Sequence, residues 1–318
     1  MDWKPYYDTE LREAKTRDKI KQWLRIADEM AVASGTHDSR TVLSFPHTAV
    51  DYSGPLQARV ISWLYGNGFK RVIALGVIHG ALIPTYQVAA NELSLHDERE
   101  AAYEQVSGAF LPASNRVKTP FGTLDVLSVD QAVPAEIRQD HSNLLENEFS
   151  LDTFHAVMRL AADIYQVEPL PVLPLYVGMM RNPFNGSFAT AAALARWLDA
   201  SWDEETAIVT TGDVVHFGAV YGSENEGVLP ETLESRFHHR LEVLFERAFR
   251  EGNLEAAYQM ALCELKSDQR EVLLLLAHLL GEGAIAEIDA FTLSDYAPIF
   301  NAPPPCLVAS ALIAYKRR

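Results

Sequence analysis

The chain has 318 residues, a hydrophobic share of 48% and a formal net charge of −16. It is apolar enough for a substantial core and acidic enough to repel phosphate backbones, so nucleic acid is not an expected partner. Two cysteines, Cys263 and Cys306, are too few for a disulfide framework. The N-terminus is polar rather than secretory in pattern, and no apolar run reaches bilayer length. The expected setting is a reducing cytoplasm, without membrane contact.

Residues 8–34 place Leu11, Ile20, Trp23, Leu24, Ala27 and Met30 at roughly helical spacing, which predicts an amphipathic N-terminal helix. Short apolar runs follow at Thr41–Phe45, Arg71–Val77, Pro171–Val177, Ala207–Thr211 and Leu307–Tyr315. Helical patterns separate most of them, at Pro55–Tyr65, Leu151–Tyr165, Phe188–Ala200, Glu231–Arg250 and Glu271–Leu280. Strands alternating with helices predict an α/β fold with a mixed central sheet and helices on both faces. Residues 91–120 are the least regular and read as a loop or insertion over one sheet end. The expected organisation is an N-terminal helical extension over 1–39 and one α/β domain over 40–318.

Four histidines fall where a strand should hand over to a loop: His47 in SFPHTAVDYSG, His79 in ALGVIHGAL, His141 in QDHSNLLENE and His216 in IVTTGDVVHFGAVYG. Open α/β sheets gather their ligand sites at the carboxyl ends of strands, and imidazole serves as metal ligand or proton shuttle. A single such histidine is usually a hydrogen-bonded loop residue, whereas four in the same kind of position point to a site. His37, His96, His155, His238, His239 and His278 read as surface or packing residues. Glu271 opens a strongly apolar helix in KSDQREVLLLLAHLLGEG. It suits a helix-capping charge or the carboxylate of a two-histidine, one-carboxylate metal triad.

The segments PHTAVDYSGP, LGVIHG, TPFG (Thr119–Gly122), DHS (Asp140–Ser142), PVLPLYVG and TTGDVVHFG occur in the order found in Memo-like proteins. Over roughly residues 40–315 the chain resembles that family, which is similar in fold to the class III extradiol ring-cleaving dioxygenases of the protocatechuate and gallate dioxygenase catalytic-subunit type. The resemblance implies His47 and His79 as metal ligands, His216 as an acid/base histidine, Asp213 as the aspartate preceding it, and His141 as a histidine facing the substrate. Memo-type proteins offer a cysteine in a Cys-Gly segment as third ligand, and no such segment stands here. REVLLLLAHLLGEGA instead resembles the dioxygenase segment, so Glu271 is the expected third ligand, with Asp268 and then Cys263 as alternatives.

The function implied is a non-haem Fe(II)-dependent dioxygenase that cleaves a catechol- or aminophenol-like substrate with O2 in the extradiol manner. In it, Asp213 would orient a histidine, while His216 and His141 would move protons. Two other functions fit the same residues: a Memo-like metal-binding protein with a redox or partner-binding role and no ring cleavage, and a zinc-dependent hydrolase. The expected partners are a small aromatic molecule and O2, and a homodimer is one assembly consistent with a sheet-based enzyme of this size. Tyr52, Phe217, Tyr221, Tyr176 and Phe184 are candidate pocket walls, and Arg181 is a candidate carboxylate contact.

Overall fold

Alternation along a buried strand sends neighbouring side chains to opposite faces, and residues 71–77 show what that builds here. Ile73, Leu75 and Val77 enter one buried apolar cluster, while Val72 and Ala74 enter another. Both clusters are covered by helices, so the sheet is a central layer. The structure is a computed structural model and describes residues 3–34, 40–79, 83–128, 132–140, 144–223 and 230–318.

In chain order the strands are β1 (Thr41–Phe45), β2 (Arg71–Val77), β3 (Ala109–Pro112), β4 (Arg116–Thr119), β5 (Gly122–Asp125), β6 (Ile137–Asp140), β7 (Val172–Val177), β8 (Thr206–Thr211), β9 (Val215–Gly218), β10 (Ile285–Asp295) and β11 (Cys306–Lys316). Nine of them form the main sheet in the order β10-β11-β1-β8-β2-β7-β3-β6, with β9 added on β11, and β4–β5 is a separate hairpin. The middle strands β1, β8, β2 and β7 run parallel. β11 joins antiparallel to β1 through its last residues and to β9 through its first. This is an α/β fold with a mixed sheet, as the alternation of apolar runs and helical patterns predicts.

One face carries α2 (Ala14–Ser34), α3 (Val50–Gly66) and α6 (Asp152–Tyr165). The other carries α7 (Ala189–Ser201), α8 (Pro230–Phe245), α9 (Leu254–Gln259) and α10 (Arg270–Leu280). The N-terminal segment belongs to this packing. Ile20, Leu24 and Ala27 of α2 are buried with Val60, Ile61 and Leu64 of α3, each large aliphatic contributing roughly 1.5–3 kcal/mol.

Three expectations change in detail. The single helix over 8–34 is two, α1 (Trp3–Arg12) and α2, joined at Glu13. The Glu13 carbonyl accepts from Thr16 and Arg17 and starts the second helix afresh, so that Leu11 of α1 joins the α2–α3 cluster while Tyr7 is buried with Phe149 and Tyr296. The stretch 91–120 holds α5 (His96–Val106), β3 and β4 rather than a loop, with α4 (Ile83–Ala90) before it. β10 has no counterpart among the predicted strands. It is a sheet edge whose side chains are mostly exposed or half-buried, so it lacks an apolar run. A short helix α11 (Ala297–Phe300) separates β10 from β11. No helix among the described residues is long and apolar enough to cross a membrane.

Candidate metal centre

The parallel strands β1, β8 and β2 end side by side, and the residues just past their carboxyl ends share one crevice. His47 lies two residues beyond β1, His79 two beyond β2, and Asp213 two beyond β8. His216 stands inside β9, opposite Val308 of β11. A loop from the far helical layer brings Asp268. It follows a π-helical turn at Met260–Glu264 and passes through Lys266 in the left-handed region, at φ 50°. The loop is stitched to the β8–β9 segment. The His216 N–H donates to the Leu265 carbonyl at 2.9 Å, and the Asp268 N–H donates to the Asp213 carbonyl at 3.0 Å. Gly212, at φ +152°, lets Gln269 approach so closely that a Cβ there would lie 2.4 Å from its Cγ. Gln269 in turn donates to Ser44 and to the Gly212 carbonyl and accepts from the Tyr315 hydroxyl.

The second nitrogen of each histidine is already committed. Thr211 Oγ1 spends its proton on the Phe45 carbonyl and therefore accepts from His47 Nδ1, at 3.3 Å. His79 Nδ1 donates to Glu148 Oε1 at 3.1 Å, and His216 Nδ1 donates to the Lys266 carbonyl at 2.8 Å. With Nδ1 as the donor, each ring in its neutral form presents the Nε2 lone pair to the site. The three Nε2 atoms lie 3.4 Å (His47), 3.6 Å (His79) and 3.6 Å (His216) from one atom, Asp268 Oδ2. In a buried site, lone pairs facing a carboxylate oxygen repel unless a cation lies among them. The donor set therefore fits a metal ion. His47, His79 and Asp268 form one group with ligand atoms within 4.8 Å of one another, and Asp213, His216 and Asp268 form a second.

In the metal-free chain, protons supply part of that positive charge. Burial pushes His79 down, but Glu148 and Asp268 outweigh burial and raise it to about 10. Burial also lowers His47, and there the pull of Asp268 does not overcome it. The two aspartates diverge, as close carboxylates do. Burial, then the charge of Asp268, raises Asp213 well above the usual range. Asp268 is buried too, yet His216, His47 and His79 hold it well below that range.

The group opens into a cavity of about 590 Å³, a size suited to a small molecule. Its walls include Trp3 and Tyr7 of α1, Phe149, Tyr221, Tyr296 and Phe300. Phe149 stacks on the His79 ring at 4.5 Å between centroids and meets His47 edge-on at 6.0 Å. Trp3 packs edge-on against Phe300 at 5.2 Å, and Tyr7 lies tilted against Phe149 at 5.5 Å. The bend at Glu13 thus has a consequence here, because it lays α1 along the cavity.

The structure brings together His47, His79, His216 and Asp213 of the expected residues, and it corrects the carboxylate. Glu271 is buried away from the histidine group, where its Oε2 accepts the Met180 N–H at 2.8 Å and its Oε1 the Tyr258 hydroxyl at 3.2 Å. Asp268, the alternative, meets the histidines instead. Cys263 is exposed and contacts Gln259. His141 lies outside the described residues. Of the wall candidates, Tyr221 lines the cavity, whereas Phe217 packs on Phe237 and Phe184 on His96. Tyr52 is exposed beside Tyr296, and Tyr176 borders a different cavity. Arg181 is paired with Glu255 at 2.7 Å.

Sequence reasoning missed Glu148, Phe149, Tyr296 and the α1 aromatics. Glu148 and Phe149 follow the DHS segment closely, and a carboxylate–aromatic pair there was the available signal. Trp3, Tyr7 and Tyr296 carried none, since only tertiary folding brings both chain ends to the strand tips.

No protein-family model matches the chain, and no curated protein matches it significantly. Fold and site by themselves define an α/β protein with a buried histidine–aspartate group that can hold a metal ion.

Proposed function

We propose that this chain is a non-haem Fe(II)-dependent dioxygenase that opens a catechol- or aminophenol-like ring with O2 in the extradiol manner. One observation carries the proposal: the Nε2 atoms of three histidines converge on a single carboxylate oxygen of Asp268 inside an aromatic-walled cavity. His47, His79 and Asp268 would hold the iron, a two-histidine, one-carboxylate set that leaves positions open. When bound, Fe(II) supplies a Lewis acid that favours the substrate anion and a path for electrons to O2. The resemblance to Memo-like proteins and extradiol dioxygenases supports the same chemistry.

The remaining roles fall to this chain's own groups. His216 keeps its Nδ1 proton on the Lys266 carbonyl, so its Nε2 is the atom that accepts a substrate hydroxyl proton and later returns it. Such transfer is typically worth about 10²–10⁴-fold. Glu148 holds the His79 ring in one tautomer. The aromatic walls offer faces for a planar ring and keep bulk water from it.

His216 also favours a second role, because its Nε2 is as near to Asp268 Oδ2 as that of His79. As a fourth ligand it would close the site, the arrangement of a structural metal. That corresponds to the Memo-like metal-binding protein without ring cleavage. The test is anaerobic Fe(II) reconstitution followed by oxygen-electrode traces against catechols and aminophenols. The expected result is oxygen uptake that needs both iron and one panel member, with a new near-ultraviolet or visible product band. Stoichiometric iron with no uptake across the panel would overturn ring cleavage in favour of the closed site.

A further inference from the structure

Beside the histidine group the cavity holds three polar atoms that no well-formed hydrogen bond satisfies. Asp213 Oδ1, the Tyr296 hydroxyl and Thr48 Oγ1 are buried and make no hydrogen bond of good geometry, the last two lying within reach of each other. Their residues are 4%, 2% and 3% exposed, and all three line the same space as His47, His79 and Asp268. They come from separate parts of the fold: the loop after β8, the residue before α11 and the loop after β1. An orphaned buried polar atom costs free energy, and three in one cavity next to a metal-binding group mark a place built for a ligand atom.

We infer that Thr48, Asp213 and Tyr296 form a substituent subsite that takes an uncharged hydroxyl or carboxamide group on the substrate ring. The two hydroxyls can each donate and accept, and the carboxyl adds a further hydrogen-bonding atom. A group that itself donates and accepts satisfies all three, which a methyl or halogen does not. An anionic substituent is disfavoured, because Asp268 already places a carboxylate in this space. The aromatic wall opposite, with Trp3 and Phe300 in edge-on contact, would fix the plane of the ring and so the direction of its substituent. The subsite rests on the ring-cleavage proposal for its aromatic scaffold.

The test uses Zn(II)-loaded full-length protein, so that no turnover occurs, and measures binding calorimetrically under argon. Two near-isosteric pairs are compared: pyrogallol with 3-methylcatechol, and 1,2,4-benzenetriol with 4-methylcatechol. The hydroxylated member of at least one pair should bind at least about tenfold more tightly, since a site made for a hydroxyl rejects the analogue without one. In Tyr296→Phe and in Thr48→Val that preference should fall below about threefold, with zinc content unchanged. Equal affinity within both pairs, or a preference that survives both variants, overturns the subsite while leaving ring binding intact. If no catechol binds zinc-loaded protein at all, the ring-cleavage proposal fails and the subsite fails with it.

Discussion

His79 and Glu148 are bonded twice: Glu148 Oε2 accepts the His79 backbone N–H at 2.5 Å, and Oε1 accepts its Nδ1 proton at 3.1 Å. Glu148 is buried, which opposes its charge, but His79 and the backbone donors hold its carboxyl below the usual range. It therefore stays ionised and orients the ring from both ends. Glu148 Oε1 also accepts from the N–H groups of Phe149 and Ser150, so one carboxylate sets both the His79 ring and the aromatic ring stacked on it.

Losing a carboxylate behind a metal-binding histidine typically costs about 10–100-fold in affinity. Glu148→Gln should weaken metal binding by that factor in a chelator competition while the far-ultraviolet spectrum stays native. Unchanged affinity would remove the orienting role.

His216 separates the open site from the closed one. His216→Ala should retain iron and lose oxygen uptake by about 10²–10⁴-fold. A variant that emerges empty of iron would make His216 a ligand.

Glu271 acts in the core. Glu271→Leu strands the Met180 N–H and the Tyr258 hydroxyl, each at a cost of about 1–3 kcal/mol. Its urea midpoint should drop by a matching amount, with metal stoichiometry unchanged. Loss of metal without loss of stability would return Glu271 to the ligand set.

His155 gives the fold an acid limb. It sits on α6 with both ring nitrogens buried and unpartnered, and burial lowers it from 6.5 to about 3. The folded chain keeps it neutral, while the unfolded chain protonates it below pH 6.5. Its contribution is thus complete above pH 6.5 and declines as pH falls toward about 3, by about 1.4 kcal/mol per pH unit. His155→Leu should flatten the difference in stability between pH 7.5 and pH 5. An equally steep decline in the variant would assign the acid limb to other groups.

The sheet centre was legible because β1, β2, β7 and β8 are buried on both faces and read as short, mostly apolar and β-branched runs. β10 was not, since an edge strand needs no such run. His47 and His79 were legible from their place after two of those strands. The carboxylate was not, for a physical reason. Asp268 and Glu271 are three residues apart on either side of the first residue of one helix, and both are plausible there by charge. Only the tertiary positions of Met180 and Tyr258 draw Glu271 inward, and only the hydrogen bond from Asp268 to the Asp213 carbonyl turns Asp268 toward the histidines. The cavity wall contributed by α1 was hidden as well, because the break at Glu13 interrupts no hydrophobic period.

The most direct measurement is metal content per chain after anaerobic Fe(II) loading and desalting, for the native protein, Asp268→Ala and Glu271→Leu side by side. One iron per chain in the native protein and in Glu271→Leu, with none in Asp268→Ala, is the predicted result. Native protein that holds no stoichiometric metal, or Asp268→Ala that keeps its iron, would contradict a centre built on His47, His79 and Asp268.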